Sequence, residues 1–214
     1  MKRFLAVIIS FAVCFCLVSC INIVQTDETF HIDETLLNKN FEFYSTEYKM
    51  VMTVSEYLAY LQDYLQSDSN CFIYEYALFD LDFDENNELI CRLGAGEDTY
   101  FRTVVFHAIS EKIYSYDFTW RQFGILKTDG TTSYSLSGFD NGFGKLAFDE
   151  NGWTLKESAY SEAVWGNHEI VGINYYVNGE KASKEAFNKA YEDHNNTPDV
   201  EFEKIYLDKN SFSV

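Results

Sequence analysis

Proline is almost absent. Pro198 is the only one in 214 residues, so proline marks no boundary along the chain. Cysteine is nearly as uninformative for a fold: of five, Cys14, Cys16 and Cys20 crowd the N-terminus, leaving Cys71 and Cys91. No C-x-x-C pair or zinc-ligand spacing remains, which removes the usual redox and structural-zinc motifs. Basic residues are few, 16 Lys+Arg against 34 Asp+Glu, for a net charge of −18. Such a chain repels phosphate backbones, which argues against nucleic acid as a partner, and it attracts cations and basic proteins. There is no G-x-S-x-G elbow, no H-E-x-x-H and no Gly-rich phosphate loop. "HEIVG" begins at His168 but has no second histidine four residues on, and His31, His107 and His194 lie in other segments.

Long apolar runs are also missing, with one short exception. Lys2 and Arg3 precede Phe4–Val18, a run interrupted only by Ser10. It is shorter than the ~20 residues of a membrane-spanning helix and has the form of an export signal. It ends in "LVSC", Leu17 to Cys20, which resembles the lipobox of bacterial lipoproteins. The resemblance implies a signal peptide over residues 1–19 and a lipid on Cys20, on the outer face of the cytoplasmic membrane. Cleavage would remove Lys2 and Arg3 and no acid, moving the net charge from −18 to −20. Anionic headgroups would repel that body, so attachment would rest on acyl chains, of which a stable anchor needs more than one.

Residues 20–40 are polar and acidic and read as a tether; residues 41–214 are long enough for one domain. With 47% hydrophobic and 18% aromatic residues, the chain has ample material for a core. Thr53 and Glu56 form a capping-box pattern, followed by Val54, Tyr57, Leu58, Leu61 and Leu65 on one helical face. From Cys71 the pattern turns strand-like, at 71–79, 88–94, 100–108, 112–119, 121–127, 131–137, 144–149, 153–159 and 169–177. Asp129-Gly130, Asn141-Gly142, Asn151-Gly152 and Asn178-Gly179 suit two-residue hairpin turns, in which both central residues need positive φ. A hairpin about the stretch between Cys71 and Cys91 would set Cys91 beside Tyr76. That leaves the two thiols poorly placed for the ~5.5–6 Å Cα separation of a disulfide. Ser183 caps a second helix, with Ala186, Phe187, Ala190 and Tyr191 as its stripe, and a last strand, "VEFEKIYL", follows Pro198. The expected class is α+β: one mostly antiparallel meander sheet with an N-terminal helix and a C-terminal hairpin–helix–strand.

The densest chemistry lies in "DLDFDENNEL", residues 80–89. Asp80, Asp82 and Asp84 alternate, Asn86 can offer its backbone carbonyl and Glu88 a carboxylate, which is a calcium-like set of oxygen ligands. Against this stand Glu85, where glycine normally makes the turn, and Cys91, where a bidentate glutamate would close the shell. A non-glycine residue in the left-handed region costs on the order of 1 kcal/mol. A weak calcium loop and a plain acidic turn both fit. "FDEN" recurs at 148–151 without flanking acids and reads as an ordinary hairpin turn. "YALFDLDFDENNELI", Tyr76 to Ile90, resembles the "YALIDIDGDGIPELI" segment of exported, mostly uncharacterised lipoproteins of Gram-positive gut anaerobes. "YYVNGEKASKEAFNKAYE", Tyr175 to Glu192, resembles their C-terminal hairpin and helix, often written "VNGEKVSKEEFDKAL". The resemblance implies strand, acidic calcium-like loop, strand, and brings no established activity.

Two functions fit these residues. One is a lipid-anchored, non-catalytic module for a cell-wall component, a sugar or a basic partner protein. The other is an extracytoplasmic, glycan-directed hydrolase whose carboxylates meet only in the fold. His107, inside the apolar "TVVFHAI", reads as structural, and the many aromatics read as core more than as a sugar platform.

Overall fold

The computed structural model describes residues 41–65, 70–96, 100–110 and 112–212; the predicted signal segment, Cys20 and the tether lie outside them. Two short strands open the chain, β1 (Glu42–Ser45) and β2 (Met50–Thr53), and lead into helix α1 (Val54–Tyr64). Four longer strands follow: β3 (Cys71–Phe79), β4 (Glu88–Ala95), β5 (Tyr100–Ile109) and β6 (Lys112–Thr119). Next come β7 (Thr131–Ser135), β8 (Asn141–Asp149), β9 (Gly152–Gly166), β10 (Glu169–Val177) and β11 (Glu180–Ala182). Helix α2 (Lys184–Asn196) and β12 (Glu203–Asp208) complete the order. None of the described helices is long and apolar enough to cross a membrane.

The α+β expectation of a single meander is overturned. Strands hold 57% of the described residues and helix 15%, and the strands form two sheets. Sheet A runs β12-β3-β4-β5-β6-β1-β2 and sheet B runs β11-β10-β9-β8-β7. The physical cause is the segment after β6, where 121–127 turns instead of extending. Gln122 Oε1 accepts from the Thr119 amide at 2.9 Å and stops β6. Phe118, Phe123 and Trp153 then pack together (ring centroids 5.4 and 4.7 Å from Phe118) and carry the chain onto a second layer. Sheet A is not a pure meander either, since β1 pairs in parallel with β6 at Tyr44↔Tyr114 and Ser45↔Ser115. Four-residue strands are too short to show a period, which is why β1 and β2 escape sequence reading.

Strand alternation sets the layers. Leu89, Cys91, Val104 and Phe106 point to one face of sheet A, where Phe43, Tyr57, Leu58 and Leu61 meet them. Ile90, Val105, Tyr116 and Phe118 point to the other face, against Leu146, Phe148, Trp153 and Leu155 of sheet B. The Thr53 capping box is present, with Glu56 Oε2 accepting from Thr53 N at 2.8 Å. Leu65, expected on the buried face, sits exposed at the C-cap. Tyr57 is further tied to sheet A through its hydroxyl, which donates to Asp117 at 2.9 Å, while Arg102 donates to the same carboxylate at 2.6 Å. Cys91 pairs with Tyr76 and Cys71 with Ala95, and both thiols are free and buried.

Three of the four turn dipeptides behave differently from expectation. Asn178 and Gly179 have φ of 52° and 79° and make the expected tight turn, whereas at Asp129-Gly130 only Gly130, at 77°, is left-handed, and its amide donates to Lys127 O at 2.9 Å, so that Thr128 and Asp129 are the central residues. Asn141-Gly142 instead begins β8, and at the β8–β9 turn Asp149 pairs with Gly152 so that Glu150 and Asn151 are central. There Asp149 Oδ1 accepts from the amides of Asn151 (2.7 Å) and Gly152 (3.0 Å), so a side chain closes the turn without left-handed residues.

Helix α2 lies on the outer face of sheet B. His194 stacks on Phe143 at 4.2 Å and Tyr191 meets the same ring at 5.2 Å. Lys127 Nζ donates to Asn195 O (3.2 Å), Thr197 O (3.0 Å) and Asp199 Oδ1 (2.6 Å), using all three ammonium hydrogens at the helix C-terminus. Burial, aided by the Lys127 charge, holds the His194 imidazole below its ordinary pKa. A depressed histidine pKa means the unfolded chain takes up the proton more readily. The contribution is therefore complete above ~6.5 and is lost as pH falls through the lower folded-state value. We predict that NMR titration of the His194 ring gives a midpoint below ~6.5, with α2 amides losing exchange protection on acidification. A midpoint at or above the free-histidine value would contradict this packing.

Candidate functional site

The acidic stretch is the loop between β3 and β4. Asp80 closes it: its Oδ1 accepts from the Asp84 amide (3.0 Å) and its Oδ2 from the Glu85 amide (3.1 Å). Leu81 turns inward and is fully buried in the core between the sheets. Phe83 and Glu85 adopt φ of 64° and 75°, left-handed conformations that cost each non-glycine residue roughly 1–2 kcal/mol. Glu85 carries the strain expected of a non-glycine residue at this turn, and Phe83 is a second strained position. The ring of Phe83 lies under the Lys145 ammonium at 4.3 Å. It also rests where a Gly130 side chain would have to go, since a Cβ there would stand 2.5 Å from it.

Glu88 is the first residue of β4, and its side chain points into the seam between the sheets, 1% exposed. Its Oε2 accepts from the Leu81 amide at 2.6 Å, and its Oε1 pairs with His107 Nδ1 at 2.8 Å. His107 stands on β5 beneath Phe148, ring centroids 5.3 Å apart. Burial raises the Glu88 carboxyl, and the bonds from His107 and Leu81 offset only part of that rise. Burial also works against a charged His107, but the hydrogen bond and charge of Glu88 outweigh it and raise the imidazole. The Asp82 carboxyl is raised by partial burial and then by the nearby Asp84 charge.

Of the expected ligands, Asp80, Asp82 and Glu88 come together, each with a carboxylate oxygen within 4.8 Å of the others. Asp84 falls outside that group, its Oδ1 accepting from the Asn86 amide at 2.8 Å, and Asn86 is exposed on the rim. Asp82 Oδ1 is buried and has no hydrogen-bond partner among the described residues. Three converging carboxylates with one uncommitted oxygen are hard-cation chemistry. His107, expected as a structural residue of an apolar strand, is one, and its partner Glu88 is what the residue pattern did not show. Its partner lies nineteen positions away in the chain, and only the pairing of β4 with β5 brings them into contact.

Two surface concavities are also present among the described residues. A cleft of about 730 Å³ opens between α2, the outer face of sheet B and the Trp120 turn, and Glu192 is the one carboxylate among its described lining residues. A smaller hollow of about 490 Å³ is lined in part by Glu42, Glu150 and Lys112.

Removing the Glu88 carboxylate would leave His107 and the Leu81 amide without their buried partner. Glu88→Ala is expected to cost roughly 3–5 kcal/mol in urea unfolding, and a loss under about 1 kcal/mol would contradict the pair. Comparison with known proteins identifies no relative: no family model, curated protein or solved structure matches the chain.

Proposed function

We propose that this chain is a lipid-anchored, extracytoplasmic binding module without catalytic turnover, carrying a weak calcium site in its β3–β4 loop. The anchor is Cys20, supported by "LVSC" directly after a short apolar run and by the likeness of two segments to exported lipoproteins. A body this acidic needs acyl chains to stay on an anionic membrane, and its natural partners are cations, basic proteins or uncharged wall components.

The observation that carries the calcium reading is the buried, unpartnered Asp82 Oδ1 beside Asp80 and Glu88. A divalent ion would relieve the repulsion among these carboxylates and supply the missing partner. Affinity is weak because the oxygens of Asp80 and Glu88 already accept hydrogen bonds that close the loop. Extracellular calcium modules nevertheless work at ~10⁻⁴–10⁻³ M.

The larger cleft has one carboxylate, Glu192, among its described lining residues, whereas glycoside hydrolysis uses two. One observation favours the alternative, a glycan-directed hydrolase: Glu42 and Glu150 both line the smaller hollow. Glycan turnover abolished by Glu150→Gln would replace the module by the hydrolase.

Expressed in a bacterium, the full chain should enter the detergent phase on phase partitioning, and Cys20→Ala should lose the acyl mass. Equal acylation of the variant, or a mature N-terminus mapped elsewhere, would end the anchor reading. For the loop, thermal unfolding of the full chain in mild detergent should respond to millimolar calcium against chelator. At about 100 times the dissociation constant the gain is ~2.7 kcal/mol, and Asp82→Asn should blunt it. Identical melting in both conditions would leave the loop an acidic turn.

A further inference from the structure

The larger cleft is floored by residues that fix its shape. Tyr134 of β7 lies across β8 because residue 142 is glycine: a Cβ there would stand 2.5 Å from the Tyr134 hydroxyl oxygen. That hydroxyl donates to Glu157, which locks the ring in place. At the opposite wall, Gly124 lets the Trp120 turn approach β7, since a Cβ would fall 2.5 Å from Ser133 Oγ. Helix α2 forms the other wall, held by the Lys127 cap and the stacking of His194 on Phe143. The walls are thus rigid, and the volume of about 730 Å³ falls within the ~300–1,000 Å³ of small-ligand sites.

The lining is more telling than the size. Asn141, Asn188, Asn195 and Asn196 line the cleft, and none of their side-chain amides makes a hydrogen bond among the described residues. The guanidinium of Arg121 has no ion pair among them, lying over the Trp120 ring at 4.7 Å, and Trp120 is 53% exposed. The Tyr191 hydroxyl also lacks a hydrogen bond within the described structure, although its ring packs on Phe143 and Phe187. Amides offer donors and acceptors side by side, and aromatic rings offer apolar surface with a polar tip. A sugar presents the same combination in reverse: hydroxyls at its edges and C–H bonds on its faces. Charge narrows the class further. Arg121 and Glu192 balance within the lining, and the −18 body opposes polyanions.

We infer that this cleft binds a neutral oligosaccharide, stacked against Trp120 and hydrogen-bonded by the asparagines of α2. The inference rests on the binding-module reading and names its ligand class. The test is calorimetric titration of the full chain in mild detergent with neutral glucose-, mannose- and N-acetylglucosamine-based trimers, with a polygalacturonate oligomer as the acidic control. One or more neutral trimers should bind saturably and the acidic oligomer should not. Trp120→Ala and Asn188→Ala should each weaken binding by about 10-fold, with melting temperature unchanged because both side chains are at the surface. Trp165→Ala, at the exposed end of β9 and outside the cleft, should leave binding intact. No binding by any neutral trimer at millimolar concentration, or equal loss in the Trp165 variant, would overturn the inference while leaving the anchor and calcium results standing. Binding followed by shortening of the trimer would keep the site and overturn the non-catalytic reading.

Discussion

Sheet A is apolar on both faces, and that constraint organises the rest of the molecule. Along β4, Leu89 and Cys91 need cover on one side and Ile90 on the other, and all three are fully buried. A sheet with one solvated face would satisfy only half of these residues. Helix α1 covers one side, and it is too small to cover both. Sheet B has to close the other, which turns a chain of alternating strands into a layered β-rich fold. The chain accepts irregular, side-chain-capped backbone at Thr119–Gly130 to reach that second layer.

The seam between the two sheets is where the polar chemistry collects. Glu88 and His107 sit on the face of sheet A that meets sheet B, continuing the rows of Ile90 and Val105. A buried polar pair there is tolerable only because each partner satisfies the other and the Leu81 amide takes the remaining carboxylate oxygen. The acidic loop inherits its geometry from this pair. With Glu88 fixed, Leu81 is drawn inward, and Asp80 and Asp82 are carried toward the same point. The left-handed residues Phe83 and Glu85 record how far the backbone departs from its preference to do so. The same burial that fixes the loop leaves one Asp82 oxygen without a partner.

Helix α2 plays a different part. Of its residues only His194 is buried, so its stability does not come from a broad apolar face. Its C-terminus is held by Lys127, whose Asp199 partner continues a zipper in which the Val200 amide meets Leu126 O at 2.9 Å. One buried ammonium therefore ties the turn before β7 to the segment after α2 and sets the width of the cleft between them.

The boundaries of β3, β6 and β10 could be read from residue pattern alone, as could the Thr53 cap, the α2 start at Ser183 and the Asn178-Gly179 turn. Each is decided by neighbours within a few positions, through period, side-chain capping or positive φ. The concentration of acid at 80–88 was equally legible, because it is written directly in the order of the residues. What the sequence did not contain was the number of sheets, since the break at Trp120–Leu126 has aromatic and apolar residues that resemble a strand until Phe123 and Trp153 pack on Phe118. Nor did it contain the separation of Asp84 from Asp80, Asp82 and Glu88, the role of His107, or the cleft. The His107–Glu88 bond spans nineteen positions, and the cleft draws on residues from Trp120 to Asn196. Contacts of that range follow from how sheets register and stack, and only the tertiary structure decides them.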